Sequence, residues 1–199
     1  MSALAITAGF ADPVIEAQAH FHALMNALAR PGSVQPFPAA LDAPAPLTPE
    51  LAAVALTLAD HEATLWLDET LAASKAVVDY LRFHTGARLV ANPSDAAFAL
   101  VADVAAMPTL PSFAQGTDEY PDRSTTIVVA VETLAAGGDL ELTGPGIEDR
   151  TRFDLSPRPE GLAVQLAANR AKFPRGVDLV FVGARQVAAL PRTTLVSEV

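Results

Sequence analysis

Residues 125–131 read TTIVVAV, and this stretch decides the fold. It is rich in β-branched and apolar residues, without the alternation of a strand that has one face in water. Such a strand lies in the centre of a sheet covered on both faces. Further strands are predicted at residues 64–67, 88–91, 97–101, 140–143, 177–182 and 187–190. The last two are so close in sequence that they predict an antiparallel hairpin.

Helical patterns alternate with these strands. Asp12-Pro13 and Thr48-Pro49 each place a capping residue before a proline, which is typical of a helix start. Helices are predicted at residues 13–30, 49–59, 71–84 and 157–171. The interleaving predicts a single domain over residues 1–199, a three-layer α/β/α fold with a mixed β-sheet.

The first helix carries a regular apolar pattern. We expect one face of it to be buried, formed by Val14, Phe21, Leu24, Met25 and Leu28. Residues 107–124 are instead rich in proline and predict a long loop. Long loops inside compact domains are often functional. A loop that covers a sheet edge or meets a partner is the interpretation that we favour slightly.

Charge and cysteine content exclude several classes of protein. The net charge is −10, with only 13 Lys and Arg among 199 residues, which argues against nucleic acid and anionic membranes as partners. The chain has no cysteine, which excludes disulfides, thiolate metal sites and cysteine nucleophiles. The four histidines show no metal-ligand spacing, so no metal site is expected.

The N-terminal sequence and the apolar runs predict a cytoplasmic protein. MSALAITAGFADP has no basic region of the kind that begins a secretory signal. The longest strongly apolar run, residues 51–59, is too short to cross a bilayer.

The candidate site residues begin with Arg82, His84 and Thr85, just before Gly86 at a predicted helix end. Arg and His near a helix C-terminus interact favourably with the exposed carbonyls, which is the structural interpretation that we favour. In the functional interpretation these side chains face a pocket, where Arg82 holds a phosphate oxygen and His84 moves a proton.

A turn that contains Gly144 and Gly146 follows the strand at 140–143. Successive N–H groups in such a turn can bind an anion. Pro145 removes one of these donors, however, and the spacing matches no nucleotide-binding fingerprint. A tight structural turn is therefore the favoured interpretation.

Four further candidates lie near the C-terminus. Arg175 follows Pro174 and is expected to face a ligand, pair with Asp178 or contact another subunit. Asp178, at a strand start, is more often a turn acceptor than a catalytic acid. Arg192 and Thr193 belong to a polar tail after the hairpin, for which a ligand or partner role competes with simple solvation. No catalytic residue can be assigned from the sequence.

Six segments, in order along the chain, together resemble the PhnH family of phosphonate-metabolism proteins. They are AQAHFHALMNALARPG (17–32), LTLAD through LWL (56–67), YLRFHTGA (80–87), LTGPGI (142–147), FPRGVDLVF (173–181) and LPRTT (190–194). The resemblance raises the expectation that Arg192 and Thr193 bind a ligand or partner. It implies a fold related to the large domain of PLP-dependent transferases, but without PLP. It also implies a homodimer that assembles with the PhnG, PhnI and PhnJ subunits of carbon–phosphorus lyase.

The residues themselves agree with a cofactor-free chain. PLP catalysis needs a lysine for the Schiff base, and neither Lys75 nor Lys172 lies in an evident cofactor loop. An iron–sulfur cluster is held by thiolates, which this chain lacks. We therefore expect neither PLP nor a cluster here.

Within the system that the resemblance implies, PhnG, PhnH, PhnI and PhnL join a phosphonate to the ribose of ATP and displace adenine, and PhnJ then breaks the C–P bond. Three functions remain open at this point. The first is an assembly subunit that completes a site lying mostly on a partner, and we favour it. The second is direct binding of ATP or phosphonate through arginines. The third, outside the family, is an α/β protein that binds a small anion.

Overall fold

The structure is a computed structural model that describes residues 7–199. The sequence-based expectation that the N-terminus is not a secretory signal falls partly on residues 1–6, which lie outside the described residues. The helices are α1 (Pro13–Ala29), α2 (Pro49–Leu58), α3 (Glu69–Ala72), α4 (Lys75–Thr85) and α5 (Leu162–Arg170). The strands are β1 (Gln35–Pro36), β2 (Thr64–Leu67), β3 (Arg88–Val90), β4 (Phe98–Val101), β5 (Thr126–Ala130), β6 (Thr133–Thr143), β7 (Thr151–Ser156), β8 (Asp178–Gly183), β9 (Gln186–Leu190) and β10 (Leu195–Glu198). Across residues 7–199, no helix combines the length and the apolar character needed to cross a membrane.

The TTIVVAV segment forms β5, in the middle of a seven-stranded mixed sheet with the order β1-β9-β8-β5-β4-β2-β3. Strands β3, β2, β4, β5 and β8 are parallel, and β9 is antiparallel to both β8 and β1. The mixed α/β sheet and the β8–β9 hairpin are thus confirmed. Ile127 and Val129 point to one core and Val128 to the other, so β5 is buried on both faces.

The two faces of this sheet are covered differently. Helices α1, α2 and α4 pack on one face, around Leu24, Leu51 and Leu81. The other face is covered by α5 and by a small antiparallel sheet with the order β10-β6-β7. Three layers are therefore present, but the prediction of helices alone on both faces is wrong. Of the small sheet, only residues 140–143 were predicted from the sequence. The prediction missed β7, which follows β6 after a short turn, and β10, which pairs with β6 from far along the chain.

Two of the predicted helices have different bounds in the structure. The helix predicted at 71–84 is two helices, because Asp68 caps the start of α3 and Ser74 caps a separate start for α4. The helix predicted at 157–171 begins only at Leu162, after Gly161 in a left-handed conformation. The tail after β9 is not simply solvated, since it continues into β10, which pairs with β6.

The buried face of α1 differs from the predicted one. His20, Leu24 and Ala27 are the buried residues of this helix. Phe21 and Met25 are each about half exposed, and Val14 is 77% exposed. The apolar periodicity was read correctly, but most of the stripe that it identified points away from the sheet.

The long loop at 107–124 covers the second face of the main sheet. Leu110 and Phe113 are buried in the core between the two sheets. Its backbone is also tied to the sheet, since Thr125 N–H donates to Ala114 O at 2.9 Å. The structural interpretation of this loop as a cover is therefore supported, although it covers a face of the sheet and not an edge.

Asp68 bridges the point where the order of the parallel strands reverses. The reversal lies between β2 and β4: β3 lies on one side of β2, whereas β4, β5 and β8 follow on the other. Open α/β sheets bind ligands outside the strand ends at such a point. The Asp68 carboxylate is 1% exposed and accepts N–H groups from Leu71, Ala102 and Asp103 at 2.9, 2.7 and 2.8 Å. The chain thus uses its own carboxylate where an anionic ligand would find backbone donors.

Replacing Asp68 with Ala is expected to lower the free energy of unfolding by about 3 kcal/mol, because one buried and two partly buried N–H groups lose their acceptor. Urea denaturation followed by circular dichroism measures this change. Asp139→Ala is the matched control, since Asp139 is exposed and should change stability by less than about 0.5 kcal/mol. Equal stability of the two variants would contradict the bridging role.

Candidate functional site

The predicted site residues fall into two separate neighbourhoods. Arg82, His84 and Thr85 lie at the C-terminal end of α4, on the helical face of the sheet. The other six lie around the start of β8, the end of β9 and the β6–β7 turn: Gly144, Gly146, Arg175, Asp178, Arg192 and Thr193. The structure thus brings the segments 173–181 and 190–194 together with the turn at 144–146.

Arg192 is the centre of the second neighbourhood. Its Nε donates to Asp178 Oδ1 at 3.1 Å, and its Nη2 donates to Asp178 Oδ2 and to Ser124 Oγ. Its Nη1 donates to Pro121 O at 2.7 Å and to Pro174 O at 3.4 Å. A guanidinium has five N–H donors, so each donor of Arg192 has an acceptor within the chain. A ligand that binds Arg192 must displace one of these acceptors.

Strand topology explains why these groups meet. Because β8 and β9 are antiparallel, the residue that begins β8, Asp178, lies beside the segment that follows β9. The Arg192 backbone N–H adds a further bond to Asp178 Oδ1 at 2.8 Å. The Arg192 side chain is only 14% exposed and that of Asp178 20%. Arg192 therefore clamps the covering loop, through Pro121 and Ser124, to the end of the main sheet.

The prediction that Arg175 pairs with Asp178 is not met. Arg175 pairs instead with Asp118 of the covering loop, with Nε 3.1 Å from Oδ1, and both side chains are largely exposed. A shallow cavity of about 320 Å³ lies beside the clamp, and Phe173, Pro174 and Pro191 supply much of its apolar wall. Arg192 and Asp178 also line this cavity, but every guanidinium N–H of Arg192 is already bound within the chain.

The turn at Gly144 and Gly146 fits its structural interpretation. Both glycines have positive φ, at 133° and 83°. A Cβ on Gly146 would lie 2.2 Å from Ala29 O, and one on Gly144 would lie 3.0 Å from Thr193 O. The turn is therefore packed closely against the end of α1 and against the C-terminal segment. Thr193 takes part through its carbonyl, which also accepts a bond from Arg170 Nε at 3.1 Å.

A second cavity, of about 450 Å³, lies between the end of α1 and the β6–β7 turn. Its wall carries two cations, Arg30 and Arg150, and two carboxylates, Glu148 and Asp149. Arg150 already lies near Glu141, at 3.4 Å, and near Asp149, at 3.6 Å. These charges balance, so the cavity has no excess positive charge to attract an anion.

At the end of α4, the side chains of His84 and Thr85 contact other groups of the same chain. His84 Nε2 lies 2.9 Å from Thr7 O, and the imidazole packs against the ring of Tyr80. Thr85 Oγ1 donates to Leu81 O and accepts the N–H of Ala87.

Burial, assisted by the charge of Asp42, raises the pKa of Tyr80 above 10.0, so this phenol stays neutral at physiological pH. Arg82 is the exposed member of the group.

The histidines and lysines lie apart from one another. His20 is buried between the rings of Phe10 and Phe37, whereas His22 is exposed. Between residues 7 and 199, no three His, Asp or Glu side chains come together as a metal-ligand set. Lys75 is 83% exposed and pairs with Asp79, and Lys172 Nζ donates to Gln115 Oε1 at 3.0 Å. Neither lysine lies in the kind of desolvated pocket that activates a Schiff-base amine.

Two of the buried polar residues that organise these regions were not foreseen. Asp68 had a local signal, because an Asp one residue before a short helical pattern is a capping candidate. Ser124 had none, since its acceptor role depends on Arg192, 68 residues away.

Replacing Arg192 with Ala is expected to lower the free energy of unfolding by about 3 kcal/mol, because the mostly buried Asp178 carboxylate loses its ionic partner. The matched control is Arg175→Ala, whose exposed pair with Asp118 is expected to contribute less than about 1 kcal/mol. Urea denaturation of both variants measures the difference. A loss no larger for Arg192→Ala than for the control would show that the clamp is not structural.

Comparison with known proteins finds similarity along nearly the whole chain. The family described as bacterial phosphonate metabolism protein (PhnH) matches residues 8–197. The chain is 46% identical over 185 residues to the alpha-D-ribose 1-methylphosphonate 5-triphosphate synthase subunit PhnH of Rhizobium meliloti (strain 1021), covering 93% of this chain and 92% of that protein. It is 40% identical over 79 residues to a putative C-P lyase subunit protein, HtxG, of Stutzerimonas stutzeri, covering 40% of each chain. The chain therefore belongs to the PhnH family.

Proposed function

We propose that this chain is an assembly subunit of a carbon–phosphorus lyase complex, in which it helps its partners to join the ribose triphosphate of ATP to an alkylphosphonate, displacing adenine. The nearly full-length match to a ribose 1-methylphosphonate 5-triphosphate synthase subunit supports the complex. The observation that carries the assembly role is the saturation of Arg192, whose five donors are all bound by acceptors of the chain.

The other buried charge points in the same direction. Asp68 fills the strand-end position at which an open sheet would bind an anionic ligand. The two deeply placed charged groups therefore stabilise the fold, and neither is available to bind substrate without local rearrangement. On this proposal the isolated chain has no activity, and the reacting groups lie mostly on partner subunits.

The finer expectations belong to the same proposal. The partners are PhnG, PhnI and PhnJ, the chain forms a homodimer, and the complex works in the cytoplasm without PLP or an iron–sulfur cluster in this chain. The contacts of Lys75 and Lys172 support the absence of PLP chemistry. The relation to the large domain of PLP-dependent transferases stays a prediction about the fold.

Co-purification with the other subunits tests the assembly role. A tagged chain co-expressed with PhnG, PhnI and PhnJ is expected to retain all three at constant ratio on size-exclusion chromatography. Calorimetry on the isolated chain is expected to show no binding of ATP or methylphosphonate at micromolar concentration. Failure to retain the partners would reject the proposal, and turnover of ATP and methylphosphonate by the lone chain would reject it as well.

Direct substrate binding is the second candidate, and the exposure of Arg82 favours it. Within the described residues Arg82 forms no ion pair, and its side chain is exposed beside half-buried His84. A guanidinium in this position is free to hold a phosphate or phosphonate oxygen.

If Arg82 binds substrate, Arg82→Ala abolishes growth on methylphosphonate as the only phosphorus source while the complex still assembles. Arg88→Ala, which removes another exposed arginine nearby in sequence, serves as the control. On the assembly proposal, both variants grow like the wild type. The growth assay, read together with the co-purification of each variant, therefore separates the two candidates.

A further inference from the structure

The imidazole of His20 is buried on α1 without a hydrogen-bond partner. The residue is 4% exposed, and within residues 7–199 neither Nδ1 nor Nε2 bonds to another group. The rings of Phe10 and Phe37 pack against it, with centroids 5.2 and 4.6 Å away. An apolar side chain would pack in the same place without leaving buried polar atoms unpaired. The needs of the fold therefore do not explain a histidine at this position.

A cavity of about 200 Å³ lies beside His20, between α1 and the segment around β1. Among the described residues, its polar lining consists of His20 and of Glu16, one helical turn away. Its remaining walls are apolar and are formed by Ile15, Ala19, Ala23, Pro36 and Pro38. Proline has no N–H donor, so this wall offers a ligand little besides apolar surface and the two polar side chains.

The charge of the cavity is negative. Glu16 takes part in no ion pair in the part of the chain from residue 7 onward. Its Oε1 accepts the backbone N–H of Asp12 at 2.8 Å, which brings a second carboxylate close. That bond uses one of about four acceptor positions on the Glu16 carboxylate. The cavity thus disfavours phosphate, phosphonate and nucleotide, and it fits a group that donates hydrogen bonds and carries positive charge.

A primary ammonium fits this lining better than a metal ion does. Between residues 7 and 199 no three His, Asp or Glu side chains come together, so a metal ion would lack the protein ligands that it needs. An ammonium has three donors, which suit the Glu16 carboxylate and the acceptor nitrogen of a neutral imidazole. Lysine carries its ammonium on a flexible four-carbon stem, which apolar walls can cover. A cavity of about 150 Å³ holds benzene, so the space here is sufficient.

We propose that this cavity binds a lysine side chain of another subunit, whose ammonium donates to Glu16 and to a ring nitrogen of His20. The inference rests on the assembly role proposed above and assigns one of its contacts. The imidazole turns towards the cavity on binding, because its nitrogens have almost no access to solvent in the isolated chain.

The lysine belongs to a different subunit and not to a second copy of this chain. The chain has only Lys75 and Lys172, and each is already bonded within the chain. A net charge of −10 disfavours self-association and attracts a more basic partner. Ile15, which is 64% exposed at the edge of the cavity, gives such a partner apolar surface to cover around the lysine stem.

Two variants remove the proposed acceptors while the fold is retained. Glu16→Gln keeps an oxygen for the Asp12 N–H but loses the charge. His20→Leu keeps an apolar side chain between the rings and is expected to have an unchanged or higher melting temperature. Each variant is expected to bind the complex of PhnG, PhnI and PhnJ, purified without this chain, about tenfold more weakly or worse in biolayer interferometry. The matched control is Glu160→Gln, at an exposed glutamate just before α5, which should bind like the wild type.

Zero-length cross-linking identifies the lysine itself. A carbodiimide joins a carboxylate to an amine that it contacts, forming an amide with loss of water. In the complex we expect an amide between Glu16 and a lysine of another subunit, found by mass spectrometry and absent from the Glu16→Gln variant. Replacing that lysine with methionine is expected to weaken binding as much as Glu16→Gln does. The two changes together should weaken binding no further, since both remove the same contact.

The contrary outcomes are equally distinct. Unchanged binding of either His20→Leu or Glu16→Gln would overturn the inference, as would a Glu16 that forms no cross-link or one that couples to a lysine of a second copy. A lower melting temperature of His20→Leu would show that the imidazole stabilises the fold, which contradicts its role as a binding residue. In each of these cases the assembly role stands if the wild-type chain binds the other subunits. If the wild type does not bind them, the proposed function fails and this inference fails with it.

Discussion

The ion pair between Arg192 and Asp178 holds together parts of the chain that no local pattern connects. Asp178 begins a central strand, Arg192 follows its antiparallel neighbour, and Pro121 and Ser124 belong to the loop that covers the sheet. Because the pair is mostly buried, its charges need every hydrogen bond that the surroundings supply. The covering loop and the C-terminal segment are therefore fixed by the same group of atoms.

The bonds between Arg192 and Asp178 also limit what these side chains can bind. Arg192 is a residue type that binds anions, yet the Asp178 carboxylate and the chain's other acceptors already bind its donors. Asp68 repeats the arrangement at the strand ends, where its carboxylate holds the N–H groups of Ala102 and Asp103. Groups committed in this way are not free to bind substrate, which agrees with the description of two relatives of this chain as subunits.

On α1, the apolar face that the sequence pattern predicts differs from the face that the fold buries. Apolar spacing on a helix is favourable only when something covers it, and the main sheet covers the side with Leu24 while Phe21 and Met25 stay exposed. Phe21 and Met25 therefore form an apolar row that the rest of the described chain does not cover.

The sequence by itself determined the elements whose signals are local. TTIVVAV predicted the central strand, Asp12-Pro13 and Thr48-Pro49 predicted two helix starts, and the short spacing near Gly183 predicted the hairpin. The six segments also identified the family. Each element depends on residues a few positions apart, and the family depends on the order of the segments along the chain, so neither needed knowledge of how the chain folds.

Only the tertiary structure decided which groups meet across the chain. The sheet order brings Arg192 to Ser124 across 68 residues and Asp68 to Ala102 across 34. It also pairs β6 with β7 and β10, forming a second sheet in place of a helical layer. It turned α1 so that Leu24, and not Phe21, enters the core. Periodicity shows that a helix has an apolar side, but packing against other elements decides which side is buried.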